Sequence, residues 1–153
     1  MTTLRLLSPL TGVVRPVSAV PDPVFAEGMV GPGLALEPQH VQHQTVVAPG
    51  DGVVGALHPH AFALELGEGR TILVHLGIDT VGLAGQGFTL HVDGGQTVRA
   101  GDRLVTWSPV DVSAAGLATI CPVVALQADP DLLTHLVADG ESVTAGEPLL
   151  DWR

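Results

Sequence analysis

Hydrophobic residues along this chain fall into short runs that are separated by glycine and proline. Nine runs have the length of a β-strand and are rich in valine, leucine or isoleucine: TGVVRPV, GLAL, DGVVGAL, AFALEL, TILVHLG, FTLHV, DRLVTW, TICPVVAL and EPLLDW. Short aliphatic runs with turn residues between them are typical of antiparallel sheets. The pattern therefore predicts an all-β sandwich or barrel.

Helical segments are predicted to be few and short. The strongest candidate is residues 129–140 (DPDLLTHLVADG), where Asp129 can cap a helix, Pro130 fits its first turn and the final glycine can end it. The segments 109–118 (PVDVSAAGLA) and 23–29 (PVFAEGM) have room for one or two helical turns each.

Two sequence motifs each occur twice. Residues 8–17 (SPLTGVVRPV) align with residues 48–57 (APGDGVVGAL), and residues 95–105 align with residues 140–150 through a shared V-x-A-G core. Repeated glycine turns of this kind predict two related hairpin units. No linker interrupts them, so we expect one domain over residues 1–153.

Composition narrows the possible functions. The 153 residues include 16 acidic and 6 basic side chains, for a formal net charge of -10, which argues against nucleic acid or an anionic membrane as partner and favours a basic protein. The chain contains no lysine, which excludes Schiff-base chemistry, a P-loop lysine and biotinyl or lipoyl attachment.

The expected location follows from cysteine usage and hydropathy. The single Cys121 lies in the apolar string ICPVVAL, where we expect a buried small residue rather than a disulfide. No run of about 18 apolar residues and no secretory signal is present, so a cytoplasmic protein without membrane insertion is predicted.

Seven histidines provide the candidate chemistry. Four are expected to be surface or satisfied core residues: His40, His43, His91 and His135. Within LVHLGIDTV, strand alternation places Ile72, Val74 and Leu76 on the core face. His75 then emerges on the opposite face, beside Leu73.

The remaining histidines leave two chemical uses open. His58, His60 and His75 could form a zinc site of a metallohydrolase, with Asp79 or Glu65 as a possible base. Alternatively, two imidazoles could face each other around a phosphoryl group, one as nucleophile and the other as hydrogen-bond donor. A silent binding module is a third possibility, and the spacing does not decide among them.

Several strings in the right order resemble the glucose-type IIA component of the bacterial phosphoenolpyruvate-dependent sugar phosphotransferase system. They are SPLTGVV, VPDPVFAEGMVGPGLALEP, VAPGDGVV, HAF, VHLGIDTV, the G-x-GF of residues 85–88, GQTVRAGD and CPVVAL. The resemblance runs from about residue 8 to the last strand. It implies a compact antiparallel β-sandwich with a few short helices.

The resemblance also implies a phosphocarrier that needs no cofactor. By position, His75 would accept a phosphoryl group from the carrier HPr and pass it to a cysteine of a sugar-specific IIB domain, while His60 would stabilise the phosphorylated state. For such a reaction, one ring nitrogen of His75 must stay a hydrogen-bond donor, to a backbone carbonyl near Gly77, so that the other keeps its lone pair. The implied docking residues form a larger set: Asp22, Val24, Phe25, Val30, Leu73, Asp79 and Val81. No metal is required, although His60 and His75 are possible zinc ligands.

The chain also departs from this family pattern. The loop between DGVV and HAF looks about two residues shorter than in the best-known members, and His58 stands where many have a threonine that could orient His60. Leu73 stands where phenylalanine is common. An amphipathic N-terminal tail and fused IIB or IIC domains are not evident, so a free-standing carrier is expected.

Overall fold

The structure is a computed structural model that describes residues 2–153. Its fourteen strands are β1 Leu4–Leu7, β2 Gly12–Pro16, β3 Gly33–Pro38, β4 Gln44–Val47, β5 Gly52–His58, β6 Ala61–Gly67, β7 Arg70–His75, β8 Phe88–Leu90, β9 Thr97–Val98, β10 Arg103–Trp107, β11 Cys121–Ala125, β12 Leu133–His135, β13 Ser142–Val143 and β14 Pro148–Trp152. The α-helices are α1 Pro23–Ala26 and α2 Pro109–Ala114, and three short 3-10 turns lie at Val17–Ala19, Thr80–Leu83 and Pro130–Leu132.

The strands form three antiparallel sheets. The largest has the order β13-β2-β3-β11-β7-β6-β5-β9, and two three-stranded sheets have the orders β1-β14-β12 and β4-β10-β8. All nine strands predicted from the hydrophobic runs are present, so the all-β antiparallel fold is confirmed. The sequence pattern did not predict the short strands β1, β4, β9, β12 and β13.

The core lies between the sheets and is mainly aliphatic, with Phe62, Trp107 and Trp152 as its aromatic members. Its fully buried members include Leu36, Leu64 and Ile72 from the large sheet and Leu104 and Leu149 from the small ones. Burying each of these side chains contributes roughly 1.5–3 kcal/mol, so packing between the sheets provides most of the stabilisation. No helix in the described part of the chain is long and apolar enough to cross a membrane.

The two repeated motifs correspond to two structurally equivalent halves. Strand β2 pairs with β13 through Gly12 and Val143, and β5 pairs with β9 through Gly52 and Val98. In the same way β14 lies between β1 and β12, and β10 lies between β4 and β8. The predicted pair of related hairpin units is therefore confirmed as a duplication within this fold.

The predicted helix over residues 129–140 is wrong. The Asp129 carboxylate does cap a turn, accepting a hydrogen bond of 2.9 Å from the amide of Asp131, but helical structure ends at Leu132. The chain then forms β12, in which Leu133 pairs with Trp152. The equivalent pairing in the other half is Phe88 with Trp107, so strand pairing overrides the local helical signal. The helices predicted near residues 23–29 and 109–118 are confirmed as α1 and α2.

Close approach of paired strands requires glycine at equivalent positions of the halves. A Cβ atom at Gly12 would lie 2.2 Å from the carbonyl oxygen of Glu37, and one at Gly52 would lie 2.3 Å from that of Glu65. We expect Gly12→Ala and Gly52→Ala each to lower the free energy of unfolding by about 1–3 kcal/mol, because the strands must move apart. Urea denaturation measures this, and Gly94→Ala, where the nearest atom is at 3.7 Å, is the control. A Gly12→Ala protein as stable as the control would contradict the account.

Candidate functional site

His75 is the last residue of β7, at the point where the alternation of that strand ends. Ile72, Val74 and Leu76 are buried, whereas Leu73 and His75 are half-buried on the opposite face, as predicted. Strand β7 is paired on both sides, with β11 and β6, and is therefore a rigid support. The imidazole is therefore held by the centre of the large sheet rather than by a loop.

The turn after β7 fixes the orientation of the His75 ring. The Nδ1 atom of His75 lies 2.5 Å from the carbonyl oxygen of Gly77, so Nδ1 carries the hydrogen and donates it to that carbonyl. This is the hydrogen bond predicted from the need to keep one ring nitrogen as a donor. It leaves Nε2 with a free lone pair, which is the nucleophilic form of a neutral imidazole.

Gly77 is required by the geometry of this turn. Its φ of +74° is strained for an L-residue, and a Cβ atom would lie 2.8 Å from Cγ2 of Thr80 and 2.9 Å from the carbonyl oxygen of Ala118. The buried Thr80 hydroxyl donates to the carbonyl of Leu76 at 2.8 Å, and the Ile78 amide donates to Ala118 at 3.0 Å. These contacts position the Gly77 carbonyl that His75 uses.

His60 comes from the tight hairpin between β5 and β6. His58 and Ala61 are paired, so Pro59 and His60 form the two-residue turn. The carbonyl of His60 accepts a hydrogen bond of 2.7 Å from the amide of Leu76. The ring centroids of His60 and His75 are 5.1 Å apart at an interplanar angle of 72°. The two imidazoles predicted to face each other therefore do so.

His58 lies beside this pair but is exposed. Its ring centroid is 5.8 Å from that of His60, with the planes 30° apart, and no side-chain hydrogen bond of the described residues joins the two rings. The zinc alternative is not supported. Among residues 2–153, no group of three or more His, Cys, Asp or Glu side chains is arranged to hold a metal ion.

Burial lowers the pKa of both facing histidines. For His75 burial is the largest effect; the hydrogen bond to the Gly77 carbonyl and the charges of Asp22 and Asp79 raise the pKa in partial compensation. For His60 burial again comes first, followed by repulsion from the charged forms of His75 and His58. Both rings are thereby kept neutral at neutral pH.

Apolar residues surround the His75 ring. The Phe25 ring lies 5.5 Å from it, centroid to centroid, and packs in a second apolar cluster together with the half-buried Val30 and Leu73. Phe25 is only 8% exposed, whereas Val24 and Val81 are 47% and 68% exposed. Phe25 therefore packs beneath the predicted docking surface, whereas the side chains of the two valines are exposed to solvent.

Two carboxylates complete the site. Asp22 caps α1 by accepting a hydrogen bond of 3.0 Å from the amide of Val24, which places its charge near His75. Asp79 is exposed and has a φ of +61°, a conformation that non-glycine residues adopt infrequently.

The remaining histidines and the cysteine take no part in this site. His40, His43, His91 and His135 are exposed, and Cys121 is buried, which raises the pKa of its thiol.

Sequence reasoning missed two residues of this region. The first is Thr80, since a threonine can close a turn by donating to the carbonyl four positions earlier, here that of Leu76. Met29 is 64% exposed next to α1 and extends the apolar surface. The sequence signal that points to the exposure of Met29 is its position directly after a glycine, beyond the end of a short helix.

Comparison with known proteins agrees with this fold. Residues 4–131 match the family model of the phosphoenolpyruvate-dependent sugar phosphotransferase system, EIIA 1. The site consists of two facing imidazoles on an apolar surface of a β-sandwich. The chain belongs to this EIIA family.

Individual relatives are similar over most of the chain. A glucose-specific EIIBCA component of Corynebacterium glutamicum is 45% identical over 128 residues, and a mannose-specific EIIBCA component from the same species is 48% identical over 121. The matches cover 82% and 78% of this chain but only 18% and 17% of those much longer proteins. A glucose-specific EIIA component of Bacillus cereus is 40% identical over 126 residues, which are 81% of this chain and 74% of that protein.

A solved structure shows the same architecture. The glucose permease IIA from Mycoplasma capricolum superposes with a TM-score of 0.88 at 30% identity, covering 100% of this chain and 97% of that one. The predicted antiparallel β-sandwich with few helices is thereby confirmed as the family fold.

The lowered pKa values predict how stability depends on pH. Imidazoles of the unfolded chain titrate near 6.5, above the folded values, so the unfolded state binds more protons as the pH falls. We expect the free energy of unfolding to decrease from pH 7 to pH 5, and to decrease less in His75→Gln. Urea denaturation across this range, with NMR titration of the histidines, measures both effects. Titration of His60 and His75 at or above 6.5 would contradict the prediction.

The Thr80 hydroxyl should stabilise the turn that orients His75. We expect Thr80→Val to lower the free energy of unfolding by about 1–3 kcal/mol, because the buried Leu76 carbonyl loses its donor. We also expect a smaller fraction of the Nδ1–H tautomer of His75 in ¹⁵N NMR spectra. Thr80→Ser keeps the hydroxyl and is the matched control. An unchanged tautomer in Thr80→Val would show that the turn does not depend on this bond.

Proposed function

We propose that this chain is a phosphoryl carrier in which His75 accepts the phosphoryl group of a phosphohistidine on HPr and passes it to a cysteine of a IIB domain. The observation that carries the proposal is the Nδ1 to Gly77 hydrogen bond, which leaves Nε2 free to attack phosphorus. Membership of the EIIA family supports the same reaction. The names of the relatives, which include EIIBCA components, support a IIB domain as acceptor.

The charges around His75 suit the proposed intermediate. The Nε2 lone pair forms the new P–N bond while the P–N bond of the donor breaks, and its electron pair returns to the donor imidazole. The phosphorylated ring, still protonated at Nδ1, carries a positive charge. The Gly77 carbonyl and the carboxylates of Asp22 and Asp79 favour that charge, since each of them raises the pKa of His75.

His60 is proposed to stabilise the phosphoryl group. Its ring is 5.1 Å from that of His75, so a phosphoryl group on Nε2 could lie within reach of a His60 N–H donor. An imidazole that is neutral in the free protein can also take up a proton once two negative charges arrive. The same donor would then stabilise the transition state for onward transfer.

The surface around the histidines is proposed to bind both partners in turn. The exposed Val24 and Val81 provide apolar contact, and Asp22 and Asp79 provide negative charge for a basic partner. The formal net charge of -10 favours rapid encounter with such a partner. A relay needs fast release, which suits a small apolar surface shared by donor and acceptor.

Phosphohistidine labelling tests the acceptor assignment. Incubation with enzyme I, HPr and phosphoenolpyruvate should place an acid-labile, base-stable phosphate on His75, and His75→Gln should abolish it. His135→Gln, which alters an exposed histidine on β12, should label normally. Labelling that persists in His75→Gln would overturn the proposal.

Onward transfer tests the role of His60. We expect His60→Gln to accept label but to transfer it to a IIB domain about 100- to 1000-fold more slowly, as expected when a donor to the transition state is lost. Rapid mixing of labelled protein with a IIB domain measures the rate. A His60→Gln rate equal to that of the unmodified protein would show that His60 does not act on the phosphoryl group.

A further inference from the structure

The connection between α1 and β3 carries a strongly exposed apolar side chain next to the site. We call residues 27–32 the docking segment. Met29 within it is 64% exposed, and its neighbour Val30 packs into the apolar cluster that contains Phe25 and Leu73. On the α1 side the segment is held by the amide of Met29, which donates to the carbonyl of Val24 at 3.1 Å.

On its other side the docking segment is held by two residues at the end of β11: the amide of Ala125 donates to the carbonyl of Pro32 at 2.8 Å, and Gln127 holds Met29 and Val30. The side-chain amide of Gln127 donates to the carbonyl of Val30 at 3.2 Å and to that of Met29 at 3.4 Å. The backbone amide of Gln127 donates to the same Val30 carbonyl at 3.1 Å. Gln127 has a φ of +53°, a conformation that is unfavourable for an L-residue.

The residues just before Gln127 connect the docking segment to the strand of His75. Ala125 pairs with Ile72 of β7, and the amide of Leu126 donates to the carbonyl of Thr71 at 2.9 Å. At Gly31 the segment approaches so closely that a Cβ atom would lie 2.0 Å from the carbonyl oxygen of Ala125. The end of β11 therefore sets the position of the docking segment relative to His75.

We infer that Gln127 is a positioning residue for partner docking, because its amides hold the Met29 and Val30 carbonyls and so fix Met29 beside the His75 site. Met29 then contacts the phosphoryl donor as part of a preformed surface. The inference rests on the proposed phosphocarrier function. We call the two side-chain hydrogen bonds of Gln127 the clamp. Without the clamp, Met29 is less ordered in the free protein, and the cost of ordering it when a partner binds weakens binding and leaves the chemical step unchanged.

Two substitutions of Gln127 remove the side-chain amide donor and leave the backbone amide in place. Gln127→Gly removes the amide, and glycine adopts a positive φ without strain. Gln127→Glu has the same shape, but its ionised carboxylate cannot donate to a carbonyl. Gln39→Glu, at an exposed position on the connection that follows β3, controls for the added negative charge.

Methyl NMR tests the clamp in the absence of any partner. The sequence contains only two methionines, so ¹³C-methyl methionine labelling gives one signal from Met29 and one from Met1, assigned with Met29→Leu. We expect Gln127→Gly and Gln127→Glu to shift the Met29 signal and lower its order parameter, whereas Gln39→Glu should leave both unchanged. A Met29 methyl that is unaffected in both Gln127 variants would overturn the inference.

Transfer kinetics test the consequence for docking. With phosphorylated HPr as donor, we expect KM to rise about three- to ten-fold in both Gln127 variants, with kcat within a factor of about two, as loop ordering on binding predicts. A changed methyl signal with an unchanged KM would also overturn the docking role. If the unmodified protein took no label on His75, the proposed function would fail, whereas the clamp would still be decided by the methyl signal.

Discussion

The hydrogen bond from Nδ1 of His75 to the carbonyl of Gly77 is the interaction on which the proposed chemistry depends. It fixes the tautomer, leaves the Nε2 lone pair free and supplies a partial negative charge to a ring that would become cationic in the proposed phosphorylation. The bond exists because Gly77 adopts a positive φ in a space too small for a Cβ atom. Thr80 and the Ala118 carbonyl hold the adjacent backbone in place.

The duplicated fold supports this interaction through two equivalent connections that have diverged. In one half β5 and β6 are joined by the two-residue turn of Pro59 and His60, which brings a second imidazole to His75. In the other half the corresponding strands β2 and β3 are joined by residues 17–32, which carry α1 and the docking segment. One connection thus carries His60 and the other carries the proposed docking surface, while the paired strands hold both at fixed positions.

Much of the fold and the central histidine could be predicted from the sequence. Alternation in β7 identified the exposed face of His75, since residues two apart must share a face. The helix predicted over residues 129–140 failed because local capping signals do not include the pairing of Leu133 with Trp152. The contacts of Gln127 could not be predicted either. They join residues about 97 positions apart, and no local pattern encodes such a contact.

The position of the phosphoryl group on the imidazole ring tests the central claim most directly. Heteronuclear ³¹P and ¹⁵N NMR of the phosphorylated, ¹⁵N-histidine-labelled protein identifies the nitrogen that is bonded to phosphorus. Because Nδ1 of His75 is occupied by the Gly77 carbonyl, phosphorus should be bonded to Nε2 of His75. Phosphorus on Nδ1 of His75, or on His60, would contradict the account.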